Sequence, residues 1–414
     1  MKSSSLLSLD DALAQLLVKA QPLKSVTSVD TFTADGRVLA EDLIPQIQVP
    51  SFDNSAMDGY ALRVADLDLN EGVLKVGQQI FAGQAPSALD AGYAARIFTG
   101  APVPMGADAV VMQEEVTLLD DGAVRFIKVP TQGQCIRRKG EDIEKGMVLL
   151  AKGTRLDPAS LGLAASIGLA QLKVSQAPKV ALFSTGDELV MPGDLAPHQL
   201  PLGTIFNSNR FFLRSLLERL GCEVSDMGNV PDDAQKTIAA LSSAAVDHDL
   251  ILSSGGVSVG EADFVKPAVQ ALGELQLWSL SIKPGKPFAY GYVRSHSDAS
   301  KQAHFIGLPG NPVSSLVTFL LLVRPFILAI QGCSQLFVPP ISMRADFVWS
   351  RADKRREFLR VKRNNAGGLD LFPNQSSGVL TSAVWGDGLV DNLPSTTIAV
   401  GDTVNFLPFN ALMS

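Results

Sequence analysis

The sequence predicts a multidomain protein of α/β plus β class. Its parts are a central doubly wound α/β domain, a β-rich module, an N-terminal helical and strand segment, and a small C-terminal β-barrel. Three observations predict this. The chain's 414 residues exceed the roughly 100–200 that one domain usually organises. Residues 178–330 alternate short apolar runs with helical stretches, the rhythm of a largely parallel sheet covered by helices. Residues 49–146, and those after 338, instead carry short alternating strands punctuated by Gly and Pro. The expected boundaries follow these shifts: 1–48 with 147–177 as a discontinuous linker domain, then 49–146, 178–330 and 331–414.

Each element has a local reason. Ser8, followed three residues later by Asp11, caps a helix whose Leu9, Leu13, Leu16, Leu17 and Ala20 keep helical spacing. With Lys2 as the one early cation and no long apolar run, this start reads as a helix rather than a signal peptide. A strand-rich segment follows at 27–42, and the β module shows strands near 74–76, 109–113 and 124–129. Asp157 and Pro158, cap then proline, open a helix over 156–170. Strands near 179–183, 223–227, 249–252, 277–282 and 304–306 then alternate with helices near 207–220, 234–246, 262–272 and 312–330. The most apolar stretch, 316–330, is interrupted by Arg324–Pro325 and is too short for a membrane span. Beyond Val338-Pro339-Pro340 the chain reads as strands and turns without a clear helix.

Composition excludes several classes of function. Hydrophobic residues at 46% and charged residues at 19% describe a globular chain with ample core. The 35 Lys+Arg against 42 Asp+Glu leave a net charge of −7, which argues against nucleic-acid binding. Cys135, Cys222 and Cys333 are odd in number and widely spaced, pointing to a reducing, cytoplasmic setting rather than a disulfide framework. His198, His248, His296 and His304 lack ligand spacing, and no Gly-x-Ser-x-Gly elbow is present, so zinc catalysis and hydrolase triads have no support.

The chemistry gathers at predicted strand ends, where open α/β sheets bind ligands. The first loop reads Ser184-Thr185-Gly186-Asp187-Glu188, and the second runs from Ser253 through Ser254, Gly255, Gly256 and Ser258 to Gly260. The third is Gly307-Leu308-Pro309-Gly310-Asn311-Pro312, with Asn311 as helix cap and Pro312 as first helical residue. Small residues in such loops let backbone N–H groups approach an anion. An ordinary strand-to-helix turn looks similar, and neither a Walker loop nor a dinucleotide fingerprint is present. Carboxylates at Asp187, Glu188, Asp232, Asp233, Glu261 and Asp263 can simply favour helix N-termini. Beside a phosphate, Asp232 and Asp263 are candidate ligands for a hard cation such as Mg²⁺. Lys283-Pro284-Gly285-Lys286-Pro287 holds two cations on a stiff segment suited to an oxyanion. The β module adds the polar run from Phe52 to Ala61 and a cationic patch, Arg137-Arg138-Lys139.

Together these motifs resemble the molybdopterin molybdenumtransferases, the MoeA and gephyrin E-domain family, over essentially the whole chain. The resemblance rests on the Phe52-to-Ala61 run, Phe98-Thr99-Gly100-Ala101-Pro102-Val103-Pro104, the 253–263 run, Lys283-to-Pro287 and Leu308-to-Pro312. It implies a homodimer joined through the N-terminal domain, with an active site completed by the partner's β module. It also implies insertion of molybdenum from molybdate into adenylylated molybdopterin, with release of AMP and Mg²⁺ present. Asp58, Thr99, Asp142 and Glu188 carry over as catalytic groups, with Asp232 and Asp263 nearest the cation. Arg137, Ser254, Gly255, Gly256, Ser258, Lys283, Lys286, Pro309, Pro312, Arg360 and Ser377 carry over as substrate-binding positions. The upstream molybdopterin adenylyltransferase and recipient molybdoenzymes are the implied protein partners. Ser279 stands where the family often has a basic residue, and the segment between Arg360 and Ser377 is short. A non-catalytic scaffold and a molybdopterin adenylyltransferase are the alternative readings.

Overall fold

A computed structural model describes residues 6–230, 233–256, 264–295, 298 and 300–414. Its centre is a six-stranded sheet ordered 223–230, 179–185, 250–254, 302–308, 287–294 and 273–279. The first four strands run parallel, and Pro287–Arg294 and Gly273–Ser279 add an antiparallel edge. Leu250–Ser254 is buried at every position, as a central strand covered on both faces must be. One face packs on the helices Ala234–Asp247 and Val265–Leu272, the other on Asn209–Arg219 and the long apolar helix.

That long helix spans Pro312–Ile330 and passes through Pro325 without a break. A π-helical turn at Phe319–Val323 takes up the residues around a proline that has no N–H to donate. The helix is long and apolar enough to cross a membrane, yet 89% of its apolar window is buried inside the protein. Leu9, Ala12 and Leu16 of helix Leu9–Lys19 lie in the same core. The Ser8 hydroxyl accepts from the Asp11 N–H there, as the sequence suggested.

Three further β units surround this body. Val26–Asp30 pairs antiparallel with Gln171–Ser175, a strand the sequence reading did not anticipate. The β module is a six-stranded sheet ordered 109–112, 59–62, 93–97, 73–80, 124–126 and 116–118. In the C-terminal part, strands 341–345, 356–363, 368–371, 388–392 and 403–408 close into a five-stranded barrel through the pairing of Arg356–Arg363 with Gly388–Asn392. Two short helices, Thr381–Trp385 and Phe409–Leu412, accompany the barrel, where the sequence had suggested none. The two-residue strand Ile282–Lys283 leaves the central domain and pairs with the barrel strand Arg356–Arg363. This pairing ties the Lys-Pro-Gly segment to the C-terminal domain.

Candidate active site

A cleft of about 800 Å³ opens at the carboxyl ends of Lys179–Thr185, Leu250–Ser254 and Gln302–Leu308. Thr185, Glu188, Ser254, Gly255, Gly256, Pro309 and Pro312 line it, so the three predicted loops meet there. Two asparagines hold the loops in place. Asn209 donates to the Ser254 hydroxyl at 2.9 Å and to the Gly310 carbonyl at 2.7 Å, joining the second loop to the third. Asn229 donates to the Gly186 carbonyl at 3.1 Å and steadies the first.

Gly255 and Gly256 adopt φ of +92° and +71°, and a Cβ at Gly255 would stand 2.9 Å from the Thr185 carbonyl oxygen. Only glycine permits both the backbone shape and the approach. The packed loops leave polar atoms unsatisfied. Thr185 Oγ1 and Asn207 Nδ2, both in the cleft wall, are buried and have no hydrogen-bond partner among the described residues. Buried polar groups are normally paired, so these two are ready to engage a polar ligand.

The C-terminal domain closes one side. The Val313 N–H, in the first turn of the long helix, donates to the Ser377 carbonyl at 2.9 Å, and Gly378 joins the cleft wall. Behind this segment lies Arg360, 1% exposed. Its guanidinium donates to Ser382 Oγ and to the carbonyls of Phe358 and Ser376, and it forms no ion pair among the described residues. Burial pushes its pKa down to about 10. A charge buried against neutral acceptors alone is costly, and it is suited to an anion that brings the missing charge.

The lysines stand elsewhere. Lys283 lies 3.0 Å from Glu357 and 3.4 Å from Asp353, over the Trp349 ring. It does not line the cleft, whereas Pro287 at the end of its segment does. Lys286 is exposed. The Arg355 side chain bonds Asp353 and holds its carboxyl far below the usual carboxylate range.

The β-module residues form a second cluster, and none of them lines the cleft. Asp58 accepts from the Thr99 N–H at 2.8 Å and its hydroxyl at 2.7 Å. These two bonds, with Arg96 nearby, hold its carboxyl below the usual range. Arg96 lies over the Phe98 ring, and Phe98 stacks on Phe81. Arg137, in the short strand Ile136–Arg137 that pairs with Asn54–Ser55, and Asp142, just beyond it, are exposed. Asp232, Ser258 and Asp263 lie outside the described residues.

Sequence reasoning missed Asn207, Asn209 and Arg96. The Asn207-Ser208-Asn209 run at a strand-to-helix junction was the available signal, because such residues bond neighbouring backbone. Arg96 carried no local signal, lying in an ordinary strand.

Glycine-bearing loops at a parallel sheet's carboxyl edge, flanked by a β module and a barrel, define a multidomain α/β protein whose cleft has the form of an anion-binding site. Residues 7–168 match the MoeA N-terminal region (domain I and II), 181–329 the probable molybdopterin binding domain, and 342–409 the MoeA C-terminal region (domain IV). The chain is 41% identical to the molybdopterin molybdenumtransferase of Haemophilus influenzae, covering 99% of this chain and 100% of that one. It is 36% identical to the enzyme of that name from Synechococcus elongatus, over 92% and 93% of the two chains. A solved molybdopterin biosynthesis MoeA protein from Pyrococcus horikoshii OT3 superposes with a TM-score of 0.82 at 27% identity, covering 98% and 100%. Another Pyrococcus MoeA structure gives 0.76 at 32% identity, covering 98% and 99%. The chain belongs to the MoeA family.

Proposed function

We propose that this protein is a molybdopterin molybdenumtransferase. It takes molybdate and adenylylated molybdopterin, places molybdenum on the dithiolene sulfurs of the substrate, and releases AMP. The observation that carries this reading is the cleft itself. Its glycine loops and unsatisfied Thr185 and Asn207 atoms suit a phosphorylated ligand, and the uncompensated Arg360 lies behind its C-terminal wall. The dithiolene belongs to the substrate, so the protein needs no cysteine in the cleft.

In this reading Ser254, Gly255, Gly256, Pro309 and Pro312 seat the phosphate end, joined by Ser258. Arg360, Lys283, Lys286 and Ser377 hold the oxyanion. Glu188, at the cleft wall, orients the adenylate linkage. Asp58, Thr99, Arg137 and Asp142 act from the β module, and because they stand apart from the cleft of their own chain, the reading places them in a partner's cleft. The functional unit is then a homodimer joined through residues 1–48 and 147–177, working in the cytoplasm. The upstream adenylyltransferase and the recipient molybdoenzymes are its protein partners.

Among the described residues no group of three or more His, Cys, Asp or Glu is arranged to hold a metal. Mg²⁺ usually keeps several waters and binds through one or two carboxylates plus substrate phosphates, and Glu188 in the cleft wall is an oxygen donor of the kind it takes. Asp232 and Asp263 are the carboxylates this reading assigns to the ion, which would neutralise phosphate charge.

Release of AMP from adenylylated molybdopterin on addition of molybdate, assayed with and without Mg²⁺, tests the proposal. Consumption of ATP with unmodified molybdopterin would instead assign adenylyl transfer. Binding without either reaction would assign a scaffold.

A further inference from the structure

The β module carries an aromatic stack to which the reaction assigns no part. Strand Val73–Ile80 runs parallel to Tyr93–Ile97, and Ile80 pairs with Ile97, so the two strands end side by side. A phenylalanine follows each end, and each begins a tight turn. The Gln84 N–H donates to the Phe81 carbonyl at 3.1 Å, and the Ala101 N–H donates to the Phe98 carbonyl at 2.9 Å. The Gln84 side chain also accepts from the Phe81 N–H at 3.2 Å. Register and turns together put ring on ring, with centroids 4.7 Å apart and planes 6° from parallel.

Phe98 is half-buried and braced. The Arg96 guanidinium lies 4.6 Å from its ring centroid and 5.1 Å from that of Tyr60. It donates to the Gly59 carbonyl at 2.9 Å and to the Gln113 side chain. Asp58 supplies negative charge nearby, so Arg96 is a fixed backing and not an anion receptor. Phe81 is the outer member, 45% exposed, and among the described residues no ring other than Phe98 stacks on it. Folding gains little from a phenylalanine left so open. A ring already held in place, however, offers a flat ligand a stacking contact without the cost of ordering a side chain on binding.

The stack adjoins groups that the proposed reaction uses. Thr99, next to Phe98, holds Asp58 through its N–H and hydroxyl. The Ser55 N–H donates to the Ala101 carbonyl at 2.9 Å, and the Gly100 N–H to the Ser55 carbonyl at 2.8 Å, which ties the run bearing Asp58 to the Phe98 turn. Adenylylated molybdopterin has a flat heteroaromatic ring on each side of its phosphates. Phosphates seated at Gly255 and Gly256 leave both rings to be held by other groups.

Resting on the reading that the β module completes a partner subunit's cleft, we propose that Phe81, backed by Phe98 and Arg96, is the shelf on which one heteroaromatic ring of adenylylated molybdopterin, its adenine or its pterin, is stacked. Stacking suits either ring, because each presents a π face to the phenylalanine. Phe81 then acts on substrate affinity and leaves the chemistry to Asp58 and its neighbours.

The test measures molybdate-dependent AMP release by the full-length protein, with Phe81→Leu and Phe81→Trp beside the native chain. Leucine keeps apolar bulk and loses the flat face, whereas tryptophan keeps the face. Phe81→Leu should raise the KM for adenylylated molybdopterin about tenfold, the loss falling on KM rather than on kcat, and Phe81→Trp should keep the native KM. AMP and 6-hydroxymethylpterin, used as inhibitors, identify the ring: the one whose inhibition weakens about tenfold in Phe81→Leu is the ring on the shelf. A stack that served only to hold Thr99 would shift the Asp58 carboxyl titration in Phe81→Leu, and that titration should not move. A stack that served as a subunit contact would weaken dimerisation in the same variant. Unchanged KM in Phe81→Leu, unweakened inhibition by both compounds, a tryptophan variant as impaired as the leucine one, a shifted Asp58 titration or a weakened dimer would each overturn the inference. Continued AMP release by the native protein would then leave the enzymatic reading standing. A native protein that releases no AMP on addition of molybdate would overturn both.

Discussion

The ammonium of Lys283 lies 3.0 Å from a carboxylate oxygen of Glu357, a side chain 1% exposed inside the C-terminal barrel. The other oxygen of Glu357 accepts from the Trp349 indole at 2.7 Å. Glu357 therefore fixes the cation of the Lys-Pro-Gly segment against the strand that also carries Arg360. Glu357→Ala should leave Trp349 without its acceptor and Lys283 with Asp353 as its remaining carboxylate. Because Lys283 is partly exposed and can turn to water, the cost should be about 1–3 kcal/mol in urea unfolding, below that of breaking a fully buried pair. Glu357→Gln, which keeps an acceptor for Trp349, should lose less. Both variants should need more molybdate for half-maximal AMP release, since the lysine is then held by Asp353 without the charge of Glu357. An unchanged molybdate requirement would separate Lys283 from the oxyanion.

Asp58 owes its low pKa to the Thr99 N–H and hydroxyl, in that order. In Thr99→Val the hydroxyl is lost and the N–H stays, so the Asp58 pKa should rise part of the way toward its ordinary value. A carboxyl-carbon NMR titration of Asp58 reads this directly. Asp58 is on the surface, so Asp58→Ala should leave the melting temperature unchanged while abolishing molybdate-dependent AMP release. If activity survives at the wild-type rate, Asp58 has no part in the chemistry.

The three cleft loops were legible because Gly, Pro, Ser and Asn punctuate strand ends by local rules, and their meeting follows from the parallel order of 179–185, 250–254 and 302–308. The partners of the charged groups were not. Glu357 lies 74 residues from Lys283 in sequence, and only the pairing of Ile282–Lys283 with the barrel brings them together. The strand Pro287–Arg294 was hidden for a related reason. It begins at a proline just after a turn, and the apolar run that follows pairs antiparallel with both its neighbours, so no crossover helix announces it. Arg324–Pro325 read as an interruption because local propensity says nothing of a π turn stabilised by burial on all sides.

Gly255→Ala tests the cleft's architecture. The new Cβ would meet the Thr185 carbonyl at 2.9 Å and Thr185 Oγ1 at 3.0 Å, on a backbone at φ +92°. Both effects oppose the variant, and a loss of about 1–3 kcal/mol in stability is expected by thermal or urea unfolding. Displacing the loop should also weaken binding of adenylylated molybdopterin more than tenfold, measured calorimetrically. An alanine variant with wild-type affinity would show that the ligand does not rest on this loop.

His304 gives the chain a pH dependence of its own. Its ring lies among Tyr290, Tyr292 and Phe326, and the Tyr290 hydroxyl is 2.9 Å from Nδ1. Burial pushes its pKa down from 6.5 to about 4. Between those values the unfolded imidazole binds a proton that the folded one does not, so stability is full above pH 6.5 and falls as the pH drops toward 4. The gap corresponds to about 3 kcal/mol across that window. Urea midpoints at pH 7 and pH 4.5 should therefore differ in the native sequence. His304→Gln, which keeps an acceptor for Tyr290 and cannot take up the proton, should narrow the difference. If the variant retains the native difference, the acid sensitivity belongs to other groups.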